Sequence, residues 1–193
     1  MSTDTTERAT LSESTTEYER MQQPMEVLTS MRTVEWFTPP DIIEKARRVL
    51  TAIDLDPASS AVPQQWIRAQ EYYKPGDGSL ERNWYGRVWL NPPFANTQPF
   101  VDHLIEQFAA ENVTEALLLV NSNLGYKWFE ELWVAYPVCC IRERMKFIPE
   151  HGSKNGQAKR AQCVVLFHRS NVTLDRFCFE FNPLGRILLP EKD

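Results

Sequence analysis

Apolar positions along this chain change their spacing several times, and each change marks an element. Residues 1–30 are rich in Thr, Ser and Glu without a sustained apolar period, which predicts a flexible arm outside any core. The first sharp signal is Thr38-Pro39-Pro40-Asp41: a hydroxyl suited to cap a helix, prolines for its first turn and an acid three residues on. Ile42, Ile43, Ala46, Val49 and Leu50 follow at helical spacing and predict one buried stripe. Ala52–Asp56 reads as a short strand ended by Pro57, and Gly86–Leu90 as a second strand stopped by Asn91-Pro92-Pro93.

A helix is predicted from Pro99 to about Ala110, with Phe100, Val101, Leu104, Ile105 and Phe108 on one face. Ala116–Val120 is the most apolar run, as a strand covered on both faces requires. Tyr126–Ala135 fits a helix burying Trp128, Phe129, Leu132 and Trp133, whereas Trp36 and Trp84 are expected nearer a ligand. Further strands are predicted at Val138–Ile141, Lys146–Ile148, Gln162–His168 and Phe177–Phe181. Alternating strand and helix predict an α/β sandwich on a mixed, mostly parallel sheet, and the closely spaced later strands predict an antiparallel edge.

Composition agrees with one folded domain. The 193 residues are 42% hydrophobic and 24% charged, ordinary for a soluble globular chain. Residues 1–30 are read as an acidic arm and residues 31–193 as the domain. No apolar run reaches about 18 residues, and the N-terminus is polar, so neither a membrane span nor a secretory signal is expected. Cys139, Cys140, Cys163 and Cys178 lack zinc-site spacing and are read as reduced cytosolic thiols. The histidines His103, His151 and His168 are far apart, so no metal is expected.

The net charge of −5 is uneven. Six acids against two arginines in residues 1–30 leave the remainder nearly neutral. Arg142, Arg144, Lys146, Lys154, Lys159 and Arg160 face only Glu143 and Glu150, a local excess that suits a polyanion or a solvated loop.

Ligands of open α/β sheets bind beyond the carboxyl ends of strands. Those ends carry Asp56-Pro57-Ala58-Ser59-Ser60, Asn91-Pro92-Pro93-Phe94 and Asn121-Ser122-Asn123, each of which also fits a plain turn. No glycine precedes Gly76, which disfavours the glycine-rich loops that cradle pyrophosphates and triphosphates. An adenosine carrying an amino acid fits a site at Asp56 better. In Asn91-Pro92-Pro93-Phe94 two prolines stiffen the loop and remove donors, leaving carbonyls and the Asn91 oxygen as acceptors beside an aromatic ring. Such a corner suits an exocyclic amine on a flat base, gripped by its hydrogens and stacked on the ring.

At this tetrapeptide the chain resembles the amino-methyltransferases that use S-adenosylmethionine, whose loop reads Asp/Asn/Ser-Pro-Pro-Tyr/Phe/Trp. Together with Glu35-Trp36-Phe37-Thr38-Pro39-Pro40, Asp54-Leu55-Asp56-Pro57-Ala58-Ser59-Ser60, Val88-Trp89-Leu90 and Arg144-Met145-Lys146-Phe147, it resembles the phage and prophage DNA N6-adenine methyltransferase (Dam-like) family from about Glu35 to His168. The resemblance implies a Rossmann-like methyltransferase sandwich and methyl transfer to adenine N6 of double-stranded DNA, in the cytoplasm of a bacterial host. It also implies that Asn91 and the carbonyl of Pro92 hold the amine, with Pro93 stiffening the loop and Phe94 stacked on an extruded base. Thr38, Pro39, Asp56, Pro57 and Ala58 would line the cofactor pocket, with the Asp56 carboxylate facing the methionine ammonium, and Asp77 would approach the ribose or adenine. The six cations from Arg142 to Arg160 would meet DNA phosphates. Gln157 could reach a base edge, as could Gln162, but Gln162 begins an apolar strand and is read as structural.

Two features depart from general methyltransferases: the first turn is Asp-Pro-Ala-Ser rather than glycine-rich, and no acid clearly ends the second strand. Competing readings are a non-catalytic DNA-binding phage accessory protein on the same fold, or a methyltransferase acting on RNA, cytosine N4 or protein glutamine.

Overall fold

The computed structural model describes residues 36–149 and 158–190. The expected arm at residues 1–30, and with it Glu150, Lys154 and Gln157, lie outside the described residues.

Strand β1 (Trp36–Phe37) leads into helix α1 (Pro40–Leu50), which buries the five residues its spacing predicts. Thr38 does not cap this helix. Pro39 takes the N-cap position without a side-chain cap, and its carbonyl accepts from the N–H groups of Ile42 and Ile43. The Thr38 hydroxyl lies one residue too early and reaches Asn91 instead.

The chain continues through β2 (Leu55–Asp56), the single-turn helix α2 (Gln64–Ile67), β3 (Glu71–Tyr72), a 3-10 turn at Ser79–Glu81 and β4 (Gly86–Leu90). Helix α3 (Thr97–Ala109), β5 (Val113–Asn121), α4 (Lys127–Ala135) and β6 (Val138–Ile141) follow. The last elements are β7 (Ile148–Pro149), β8 (Gln162–Phe167), α5 (Asn171–Phe181) and β9 (Gly185–Leu188).

Seven strands form one sheet in the order β3-β2-β4-β5-β8-β6-β9. Neighbours from β3 to β5 pair in parallel, whereas β5 with β8, β8 with β6 and β6 with β9 pair antiparallel. Five strands therefore share a direction that β8 and β9 oppose, and the antiparallel pairings fill one side of the sheet rather than a narrow edge. β1 and β7 make a separate antiparallel ribbon; of the expected strand Lys146–Ile148, Ile148 belongs to β7 and Lys146 forms a single β-bridge.

β5 explains the sandwich. Leu117 and Leu119 join Trp89, Val164 and Leu166 against α1 and α5. Ala116, Leu118 and Val120 join Val88, Leu90 and Val165 against α3 and α4. Alternate residues of one apolar run thus seed two cores, because strand side chains point to opposite faces. Arg48 and Lys45 tie α1 to Glu180 on α5, and the Arg48 guanidinium holds that carboxyl below its ordinary range.

Two further expectations are overturned. Phe177–Phe181 is the end of a helix, not a strand. Its sequence Phe-Cys-Phe-Glu-Phe imitates strand alternation, yet Thr173, Phe177 and Phe181 are buried at helical spacing while Phe179 points to solvent. The Ser170 hydroxyl accepts from the Val172 N–H and caps the helix. The second is Trp133, expected to be buried, which lies on the exposed side of α4.

Among the described residues no helix is long and apolar enough to cross a membrane, and no group of three His, Cys, Asp or Glu side chains could hold a metal ion. Burial pushes the thiols of Cys139 and Cys163 up to about 12, so both stay protonated at neutral pH.

Candidate active site

β2, β4 and β5 run in parallel, so their carboxyl ends share one edge of the sheet. Asn91 leaves β4 there. Its Nδ2 points to the carbonyl of Trp36 at 3.4 Å and to the hydroxyl of Thr38 at 3.3 Å. A carbonyl only accepts, so these long contacts orient the amide. Among the described residues the Asn91 Oδ1 is left buried without a hydrogen-bond partner.

The prolines act differently from one another. The Pro93 carbonyl accepts from the Asn96 N–H at 3.0 Å and the Thr97 hydroxyl at 3.3 Å, closing the turn into α3. This corrects the expectation that both proline carbonyls face a ligand. Among the described residues the Pro92 carbonyl receives no such bond. Phe94 is 39% exposed and meets Phe147 edge to face at 5.8 Å. The ribbon of β1 and β7 therefore flanks the corner twice, through Trp36 on one strand and Phe147 beside the other.

The carboxyl end of β2 carries a different chemistry. Asp56 is 2% exposed and burial pushes its carboxyl up to about 7. Its Oδ2 accepts from Gln64 Nε2 at 2.8 Å, and the same nitrogen reaches the Ser59 hydroxyl at 2.8 Å. The Ala69 N–H donates to Gln64 Oε1, which fixes the amide so that its nitrogen faces the carboxylate. No cation pairs with Asp56 among the described residues. A buried carboxylate lacking a counter-charge is a receptor for a positively charged group. Two residues earlier, Asp54 is closed by Arg87 through both guanidinium nitrogens Nε and Nη2 and the Arg87 N–H, each at 2.8 Å.

Other expected residues separate into groups. Pro57 and Ala58 follow Asp56 in the same turn, and the Pro57 carbonyl accepts from Ser79. Thr38 is buried and its carbonyl accepts from Trp66 Nε1. Asp77 is exposed in the loop after β3, where its Oδ2 accepts from the Lys74 N–H. Trp84, expected near a cofactor, lies fully buried against Phe100 and His103 in the α3 core, and its Nε1 donates to the Ser79 carbonyl.

Arg142, Arg144, Lys146, Lys159 and Arg160 are all exposed, and none pairs with an acid among the described residues. Arg144 donates to the Lys159 carbonyl at 2.8 Å, and Arg160 to Asn123 Oδ1 at 3.2 Å. These bonds gather three of the cations near the end of β5. Gln162 is buried at the start of β8 and does not reach outward as a base reader.

Sequence reasoning missed Gln64 and Trp66. Both lie on α2, whose single turn gives too little periodicity to signal itself.

The sequence has relatives among known proteins. A protein of Haemophilus phage HP1, named DNA N-6-adenine-methyltransferase, is 29% identical over 145 residues, covering 68% of this chain and 77% of its own. One of the same name from Escherichia phage T1 is 31% identical over 99 residues, 50% of this chain and 39% of that protein. The family model described as DNA N-6-adenine-methyltransferase (Dam) matches residues 27–179. Because that match spans most of the sequence, the chain belongs to the DNA N-6-adenine-methyltransferase (Dam) family of enzymes.

Proposed function

We propose that this protein transfers a methyl group from S-adenosylmethionine to the exocyclic N6 amine of adenine in double-stranded DNA, with the base flipped into the Asn91-Pro92-Pro93-Phe94 corner. The observation that carries the reading is the buried, unpartnered Oδ1 of Asn91. An empty acceptor at a strand end is costly unless a donor arrives, and an amine brings two N–H groups. The Pro92 carbonyl is the second acceptor, and Phe94 stacks beneath the purine. The strand order, with parallel β3, β2, β4 and β5 and an antiparallel β8 beside β5, supports a Rossmann-like methyltransferase sandwich.

The family's reaction requires a methyl donor. Bound S-adenosylmethionine supplies a methyl group on an electrophilic sulfonium. The Asp56 carboxylate would hold its ammonium, Pro57, Ala58, Thr38 and Pro39 would line the pocket, and Asp77 would be the contact to ribose or adenine. Adenine N6 is a weak nucleophile because its lone pair is delocalised into the ring. The protein's contribution is therefore alignment, through Asn91 and Pro92, and acceptors that stabilise positive charge as it develops on nitrogen. The proton leaves after transfer.

Duplex DNA hides N6 in a base pair, so extrusion costs a few kcal/mol. Stacking on Phe94 offsets about 1 to 3 kcal/mol of that. Arg142, Arg144, Lys146, Lys154, Lys159 and Arg160 are the proposed phosphate contacts.

The test is Asn91→Ala, assayed for methyl transfer to DNA and for S-adenosylhomocysteine affinity by calorimetry. Turnover is expected to fall about 100-fold or more while cofactor affinity persists. Unchanged turnover removes Asn91 from the mechanism.

A further inference from the structure

Among the described residues, two side-chain polar atoms are buried without a partner: Oδ1 of Asn91, used above, and Oε1 of Gln162. Gln162 opens β8, whose other five residues, Cys163–Phe167, are buried and apolar. An unmet acceptor there is destabilising, so packing alone does not account for a glutamine.

What the side chain does is set the direction of its neighbour. Gln162 Nε2 donates to the carbonyl of Arg160 at 3.2 Å, which can only accept, and this fixes the Gln162 amide. The same nitrogen donates to Asn121 Oδ1 at 2.6 Å. Asn121 must therefore turn its own Nδ2, with two N–H groups, away from Gln162.

Asn121 ends β5 directly opposite Gln162. By strand alternation it projects to the face of Leu117 and Leu119, as Asn91 projects to the face of Trp89, and these three apolar residues belong to one core. Leu90 pairs with Leu118, so Asn121 stands two residues beyond the level of Asn91 on the adjacent strand. The strand spacings put their Cα atoms about 8 Å apart. Asn91 thus offers an acceptor and Asn121 a donor, on one face of one sheet edge.

Adenine presents the complementary edge, since its amine is flanked by two ring nitrogens, N1 and N7, that accept and do not donate. We propose that Asn121 is a base-recognition residue whose Nδ2 donates to a ring nitrogen flanking the target amine, and that Gln162 is the positioning residue that holds this donor outward. The inference rests on the adenine reading above. Guanine carries an oxygen at C6 that meets the Asn91 acceptor with an acceptor, and where N1 is the nitrogen contacted its N1–H also meets the Asn121 donor with a donor.

The experiment uses the full chain and duplexes containing its methylated site, located beforehand by sequencing treated DNA. The target adenine is replaced by 1-deazaadenine or 7-deazaadenine, each of which removes one ring acceptor. For the unaltered protein, one analogue is expected to lower kcat/KM about 10-fold or more. Asn121→Ala is expected to show the same loss on adenine and little further loss on that analogue, the non-additivity of a direct contact. Asn121→Asp keeps the bond to Gln162 but faces the base with an acceptor, so its loss exceeds that of Asn121→Ala. Gln162→Leu removes the unmet acceptor, so its denaturation midpoint does not fall, while its response to the analogue weakens as in Asn121→Ala.

The analogue that couples identifies the nitrogen contacted. Equal losses on adenine and both analogues in Asn121→Ala, or an Asn121→Asp protein as active as the original, overturn the proposal. Failure to form N6-methyladenine on the unaltered duplex would instead strike the underlying adenine reading, so the two failures are distinguishable.

Discussion

Asp54 and Asp56 stand two residues apart, one before β2 and one at its carboxyl end, and their surroundings drive them in opposite directions. The side-chain hydrogen bonds from Arg87 hold the Asp54 carboxyl below its ordinary range. Burial pushes Asp56 up to about 7 against the hydrogen bonds from Ser59, Ala58 and Gln64. Asp54 is a closed ion pair whose work is structural. Asp56 is buried without a counter-charge among the described residues, and under the proposed function it is the carboxylate that a cofactor ammonium would complete.

The contrast breaks most visibly at Arg87. Arg87→Ala removes the guanidinium and leaves Asp54 only the backbone N–H of residue 87, and stability in urea is expected to fall by about 3 kcal/mol. S-adenosylhomocysteine affinity of the folded protein should be unchanged; a matching loss of affinity would merge the two carboxylates into one site. Asp56→Asn is expected to do the reverse. Calorimetry should show S-adenosylhomocysteine binding weakened by about 2 kcal/mol, as when a charge-assisted hydrogen bond is lost, with the urea midpoint not lowered. If Asp54→Asn weakens binding equally, the distinction fails.

A smaller effect is expected at Gly86. Its φ of +64 suits glycine, and an added Cβ would meet Asp54 Oδ2 at 2.6 Å. Gly86→Ala should therefore destabilise the protein by about 1 to 2 kcal/mol in the same urea assay and leave Asp56 untouched.

The smallest effect is in pH. A folded pKa near 7 against the ordinary 3.8 means the native state keeps a proton the unfolded chain has lost. The Asp56 contribution to stability is then full below the ordinary value and lost as pH rises through 7. Asp54 behaves oppositely: its contribution is present above the ordinary value and lost as pH falls through its lowered one. Binding an ammonium needs Asp56 ionised, so S-adenosylhomocysteine affinity should rise about 10-fold from pH 6 to 8. Calorimetry at pH 6 in buffers of different ionisation heat should register proton release on binding, and Asp56→Asn should abolish it. A flat profile separates Asp56 from the ammonium.

Much of the sheet was legible in the sequence because its signals are local. Gly86–Leu90 ends where the prolines remove donors, and the run ending in Val120 is apolar enough to be covered on both faces. The candidate ligand edge is read from the polar residues after β2, β4 and β5, whose parallel pairing brings them together. What escaped depends on tertiary context. Phe177, Phe179 and Phe181 alternate like a strand, and only packing against α1 reveals the helix. Gly185–Leu188 gains its strand character from pairing with β6. Gln64 acts on a carboxylate eight residues away through a fold-dependent contact. The orientations of Asn91 and Asn121 depend on partners far along the chain, which no local spacing encodes.

The claim that the proline corner presents adenine N6 to a methyl donor meets its most direct test in nucleoside mass spectrometry. DNA is incubated with the full chain and isotopically labelled S-adenosylmethionine, then digested to nucleosides. The account predicts the label in N6-methyldeoxyadenosine and in no other nucleoside. Label in N4-methyldeoxycytidine, or no labelled nucleoside from a folded protein that binds S-adenosylhomocysteine, would contradict it.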